Sequence, residues 1–208
     1  AGVAGVPASL AALAVAVNEL TTLPAWQVAA RDDGGAEAQR DERGVRARKR
    51  PQLAGLLGAV AGMAGQAERI VDVGSGGGVP GIPLAIACPD RALTLVDSTQ
   101  KKVTFLADVS RALGLSNVVA RAGRAEVLGV GPLAGVFDVV TARALARLAV
   151  LVPLLAPFAA PRGKLLLIKG QKADEELAEA APAITAAGLV HVQTVVGSTG
   201  RVVILARA

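Results

Sequence analysis

A chain of 208 residues is long enough for one full domain and a short appendage, with a core that needs no disulfide or metal to hold it. With 24 Gly, 11 Pro and 52% hydrophobic residues, low complexity and disorder are excluded; a single Cys and a single His exclude an internal disulfide framework and a closed His/Cys zinc site, which fits a reducing cytoplasm. The formal charge of +5 favours a polyanionic partner, whereas 2% aromatic residues with no Tyr argue against a sheet that stacks bases on aromatic rings.

At the N-terminus, Ser9 is placed to cap a short helix in which Leu10, Leu13, Val17 and Leu20 share a face, closed by Pro24. The Ala-rich stretch 1–17 has no basic segment before it and carries Pro7, so neither a signal peptide nor a membrane span is expected. Residues 27–50 are almost devoid of apolar side chains and end in the cluster Arg46, Arg48, Lys49 and Arg50, a pattern of an exposed arm or linker. Leu53, Leu56, Leu57 and Val60 suggest a second helix, weakened by Gly55, Gly58 and Gly62. This divides the chain into a helical and charged segment, 1–66, and a main domain, 67–208.

Past Glu68 short apolar runs alternate with helical stretches, which predicts an α/β fold: a seven-stranded, mostly parallel sheet with helices on both faces. Strands are expected at 69–73, 92–97, 117–121, 136–141, 164–169, 189–196 and 201–206. After the second, Ser98 should cap a helix bearing Val103, Leu106, Val109 and Leu113 on one face, with Gly114 as its stop. A helix within 170–188 should kink or split at Pro182. The connection GSTG is too short for a parallel crossover, so the last two strands should form an antiparallel hairpin.

The stretch IVDVGSGGGVPGIPL, residues 70–84, is the most informative. A dinucleotide fingerprint would begin at Gly74, directly after the strand, and its sixth position would then be Val79, which fails. That register disfavours an NAD-dependent oxidoreductase. What begins at the strand is Asp72-x-Gly74-x-Gly76-x-Gly78, the arrangement typical of methyltransferases that use S-adenosylmethionine (SAM). In it the loop wraps an amino acid and ribose, and Asp72 orients the loop or meets the methionine ammonium. Asp97, at the end of the second strand, can accept both ribose hydroxyls, or else cap the next helix. Ala125 and Glu126, in the turn after the third strand, can face the adenine amino group, or Glu126 can pair with Arg124.

Some chemistry is missing. The fourth strand lacks the Asn/Asp-Pro-Pro-aromatic motif of enzymes that methylate exocyclic amines. Cys88 lies beside Pro89 in an apolar context and reads as packed rather than nucleophilic; His191, between Val190 and Val192, reads as structural. No general base is evident, and guanine N7 needs none, because its lone pair is exposed and attack on a sulfonium methyl removes no proton. Lys101, Lys102, Arg124, Arg143, Arg147, Lys169 and Lys172 come from separate loops to the edge where the strands end, suiting a phosphate-rich substrate. A small-molecule methyltransferase and a non-catalytic RNA-binding module remain as alternatives.

The strings VDVGSGGGVPGIPLAI, LVDSTQKKVTFL, ALGLSNV, GRAE, FDVVTARA and LLLIKG, in this order and spacing, resemble the RsmG family, also called glucose-inhibited division protein B. The resemblance covers about residues 68–208. It implies a class I SAM-dependent methyltransferase (Rossmann-like) fold and transfer of a methyl from SAM to guanine N7 in the 530 loop of bacterial 16S rRNA, by a cytoplasmic monomer without metal or membrane attachment. Carried over by position, cofactor contacts fall on Gly74, Val79, Asp97, Ala125, Glu126 and Arg143, beside Gly76 and Gly78 of the loop. Lys169 in the K-G motif resembles a substrate-side basic residue, and Arg143, Lys101 and Arg124 of the basic edge are the other expected substrate contacts. The first third departs from the family pattern, and residues 27–50 are either a divergent arm or the product of a frame error.

Overall fold

A computed structural model of the chain describes residues 58, 60–62, 64, 66–143, 145–197 and 200–208. The helix expected from Ser9, the stretch 27–50 and the start of the second expected helix lie outside the described residues.

In chain order the elements are β1 (Arg69–Val73), α1 (Gly81–Ala87), β2 (Ala92–Asp97), α2 (Gln100–Ala112), β3 (Val118–Ala122), α3 (Ala125–Leu128), β4 (Phe137–Arg143), α4 (Leu148–Leu155), a 3-10 turn (Ala156–Phe158), β5 (Ala159–Lys169), α5 (Ala173–Glu179), α6 (Ala181–Ala186), β6 (Leu189–Val196) and β7 (Arg201–Arg207). The strands form one seven-stranded sheet in the order β3-β2-β1-β4-β5-β7-β6. β1 to β5 run parallel, while β7 is antiparallel to both β5 and β6. The fold class and the terminal hairpin are as expected. The strand order reverses between β1 and β4, which opens a crevice at the carboxyl edge, where open α/β sheets bind ligands.

The central strands read as unbroken apolar runs because each face of the sheet is covered. In β5, Leu165 and Leu167 join one core with Val71, Val140 and Leu151 and Leu155 of α4. Leu166 and Ile168 point to the opposite core with Ile70, Leu84, Leu93, Val139 and the preceding Val60, Ala61 and Ala64. Each such buried aliphatic side chain contributes about 1.5–3 kcal/mol relative to exposure. A third cluster, Ile82, Leu95, Leu106 and Val109, seats α2 against the sheet beside the glycine loop.

Two local expectations change. Ser98 is not the cap of α2: the capping position is Thr99, without a side-chain bond, and its N–H donates instead to Asp97 Oδ1 at 2.9 Å. β5 begins at Ala159 rather than 164, because Ala159 pairs with Phe137 before a register shift that accommodates Pro161 and Gly163. The 170–188 helix is split, as expected, into α5 and α6, with Pro182 in the first turn of α6, where its missing N–H is harmless. Gly114 ends α2 as expected, at φ +66°. Among the described residues, no helix is long and apolar enough to cross a membrane.

Candidate functional site: the glycine turn and the carboxyl edge

The turn after β1 is held from two directions. The N–H groups of Gly74 and Ser75 both donate to the carbonyl of Val96, at 2.8 and 3.0 Å, binding the turn to the end of β2. Gly74, Gly76 and Gly78 all have positive φ, and the Gly76 N–H donates to Asp97 Oδ2 at 3.0 Å. Asp97 therefore fastens the turn with one oxygen and the start of α2 with the other, through Thr99. Both the ligand role and the helix-capping role expected for it draw on this one buried carboxylate, each of whose oxygens keeps a further lone pair.

Asp72 lies beneath the turn rather than in the crevice, only 1% exposed. The β1–β4 register places it opposite Thr141, whose hydroxyl donates to its Oδ1 at 3.0 Å. Its Oδ2 accepts the N–H of Gly81 at 3.2 Å, and its carbonyl accepts the Ser75 hydroxyl at 2.7 Å. Of the two roles considered, orienting the loop is the one these bonds perform. Burial raises its pKa to about 6, although the bonds from Ser75, Thr141 and Gly81 and the charge of Arg143 all act to lower it. Gly81 has no alternative here: a Cβ would lie 2.3 Å from Leu95 Cδ2 and 2.9 Å from Asp72 Oδ2. The surface of the turn is different, since a Cβ on Gly77 would meet nothing within 4 Å.

The remaining expected residues gather on the same edge. Val79 is buried, and its carbonyl accepts the Nε–H of Arg143, from the end of β4, at 3.2 Å. The Gly123 N–H donates to the Asp97 carbonyl at 3.0 Å, tying the end of β3 to the end of β2 shortly before Ala125 and Glu126 open α3. Glu126 is also 3.6 Å from Arg124, with both side chains exposed, so the pairing considered from sequence is present as a loose surface contact. Lys101 and Lys102 open α2 on this edge.

Lys169 is not the free rim cation that sequence suggested. Its ammonium, 7% exposed, lies 2.8 Å from Glu176 and donates to the carbonyl of Ala146. The same Glu176 carboxylate accepts the N–H of Leu148 at 3.0 Å. Burial pushes the Glu176 pKa up, but the bonds from Lys169 and Leu148 and the charges of Lys169 and Arg147 outweigh it and leave the carboxyl below its ordinary value. Arg147 pairs with Glu179 at the surface. Leu145, in the same loop after β4, rests on the turn: its Cδ1 is 2.7 Å from where a Gly74 Cβ would lie. Thr141, Leu145 and Glu176 escaped the sequence reading. Thr141 opens the TARA string and Leu145 follows it directly, so both could have been noticed beside Arg143, whereas Glu176 carried no signal beyond an acidic helix.

Two residues set aside earlier stay away from the chemistry. Cys88 ends α1, partly buried against the second core, and burial raises its thiol pKa. His191 lies on the outermost strand, β6, with a ring nitrogen 2.9 Å from the Thr194 hydroxyl.

Comparison with known proteins agrees with this arrangement. Residues 52–204 match the family model described as rRNA small subunit methyltransferase G. A curated relative from Sorangium cellulosum, named ribosomal RNA small subunit methyltransferase G, is 54% identical over 140 residues, which are 67% of this chain and 59% of that protein. The protein of the same name from Halorhodospira halophila is 44% identical over 140 residues, 67% of this chain and 65% of its own length. The chain thus spans roughly three fifths of the length of these two relatives. A SAM-dependent methyltransferase structure from Aquifex aeolicus shares the fold at a TM-score of 0.61 and 18% identity, covering 88% of this chain and 98% of that one. With the glycine turn, the Asp97 anchor and the family model all falling on one stretch of sequence, the chain belongs to the rRNA small subunit methyltransferase G family.

Proposed function

We propose that the chain transfers a methyl group from SAM to guanine N7 in the 530 loop of 16S rRNA, acting as a monomer in the cytoplasm. The observation that carries this reading is the glycine turn anchored on Asp97 at the carboxyl edge, in a chain of this family. The residues fit SAM. Backbone at Gly76 and Gly77 is open to a ligand, since a Cβ on Gly76 would come no nearer than 3.8 Å to another atom and one on Gly77 would touch nothing. Asp97 retains lone pairs for ribose hydroxyls, and Ala125 and Glu126, which follow the Gly123 N–H bonded to the Asp97 carbonyl, are the groups proposed to meet the adenine.

SAM supplies an electrophilic methyl, and a neutral guanine N7 needs only to be brought in line with it. The work left to the protein is therefore positioning and exclusion of water, which an anchored turn can provide. Gly74, Gly76, Gly78, Val79, Asp97, Ala125, Glu126 and Arg143 form the cofactor side, and Arg143, Arg124 and Lys101 the RNA side. Asp97→Asn preserves an acceptor for Gly76 while removing the charge, so SAM affinity should fall about 10- to 100-fold with the fold retained.

The deciding experiment supplies tritiated SAM and small subunits lacking the modification. Label at guanine N7 of 16S rRNA, lost in Asp97→Asn, is the expected result. Label that enters only low-mass metabolites would point instead to a small-molecule methyltransferase. Calorimetry showing RNA binding but no SAM binding would reduce the chain to an RNA-binding module.

A further inference from the structure

The loop after β4 is held at both ends by different means. On one side, Glu176 of α5 accepts hydrogen bonds from the Lys169 ammonium and the Leu148 N–H, and Lys169 in turn donates to the Ala146 carbonyl. Ala146 in the loop and Leu148 at the start of α4 are thus both bonded to one ion pair whose side chains are only 7% and 16% exposed. Shielded in this way, the pair cannot lose one partner without leaving the other charge poorly solvated. On the other side, Leu145 is set down on Gly74, the first glycine of the turn. The three atoms nearest to a Cβ placed on that glycine all belong to Leu145.

We propose that Glu176 is a positioning residue for methyl transfer: through Lys169 and the Leu148 amide it clasps the loop so that Leu145 forms an apolar wall over the glycine turn. This rests on the methyltransferase reading above. In a reaction that relies on alignment, a loop displaced by about 1 Å can cost on the order of 100-fold in rate. The clasp gives Leu145 a fixed position from which to present its side chain over the turn. It also gives Lys169 a function inside the fold, in place of a direct grip on RNA phosphate.

The test uses the full chain with Glu176→Gln, Glu176→Ala, Leu145→Ala and the Leu145→Ala/Glu176→Ala double variant. Hydrogen exchange on the ligand-free protein is read first. Exchange of the Leu148 amide should rise about tenfold or more in Glu176→Ala and less in Glu176→Gln, because that amide loses its acceptor only in the former. In steady-state methylation of 16S rRNA, Glu176→Ala should lower kcat roughly 10- to 100-fold while KM for RNA stays within about threefold. Since both residues act through one contact, the double variant should be little slower than the worse single one. Should Glu176→Ala fail to fold, Glu176→Gln, which keeps the Leu148 acceptor but loses the ion pair with Lys169, should still lower kcat with KM for RNA within about threefold. Unchanged exchange at Leu148 in Glu176→Ala, a loss confined to KM in either Glu176 variant, or single effects that multiply in the double variant would each overturn the clasp while leaving the methyltransferase reading intact. A wild-type chain that neither binds SAM nor transfers methyl overturns that reading, and the clasp's role in methyl transfer with it.

Discussion

Asp72 must accept hydrogen bonds from three elements while sitting where a charge is poorly solvated. Its carboxyl is raised to about 6 from 3.8, so between those values the folded chain holds a proton that the unfolded chain has released. Stability therefore falls as pH rises through this window, by roughly 2–3 kcal/mol between about pH 4 and pH 7 for this group alone. Glu176 works in the opposite sense: its depressed pKa contributes stability above the ordinary carboxyl value that is lost as pH falls. The two are separated by comparing the wild type with Asp72→Asn in urea titrations. The stability difference should move in favour of Asn by that amount on going from about pH 4 to about pH 7. A difference that stays flat with pH would mean that Asp72 is already ionised throughout.

At the level of elements, the seam between α1 and β2 shows why glycines three or four apart have unlike duties. Gly81→Ala would drive a methyl group into Leu95 and Asp72 and weaken the Gly81 N–H bond that fixes the helix start. It should cost about 1–3 kcal/mol in a urea unfolding curve. Gly77→Ala, facing open space, should leave stability within about 0.5 kcal/mol while lowering SAM affinity in calorimetry if the ligand approaches the turn as proposed. Equal loss of stability in both would contradict the close packing at Gly81. This distinction was only partly legible in the sequence. The spacing of glycines after a β-branched run placed the turn, and the parallel sheet was legible because strands buried on two faces, such as Leu165 to Ile168, leave no polar alternation. The early start of β5 was hidden by Pro161, Arg162 and Gly163, residues that argue against a strand until the bulge opposite Phe137 is seen. The bonds of Glu176 were hidden for a different reason: they join α5 to β5 and to a residue 28 positions earlier, a relation fixed by packing and invisible to local pattern.

Across the whole molecule, a charge of +5 sets a general attraction to RNA, but the rim cations differ in what they can give up. Arg124 and Arg147 are mostly exposed, and their partners Glu126 and Glu179 are exposed too, so either guanidinium can exchange its carboxylate for a phosphate at little cost. Lys169 cannot, since leaving Glu176 would strand a shielded carboxylate. Binding of a 530-loop RNA fragment measured across a range of salt concentrations separates these cases. Each phosphate contact on single-stranded RNA contributes about 0.7 to the slope of log affinity against log salt, so Arg124→Ala and Arg147→Ala should each flatten that slope by about this amount. Lys169→Met should leave the slope unchanged and instead lower the unfolding midpoint, because its loss is felt inside the fold. A slope flattened equally by Lys169→Met would mean that the ammonium leaves Glu176 when RNA arrives, and the division between cations that grip RNA and a cation that shapes the loop would no longer hold.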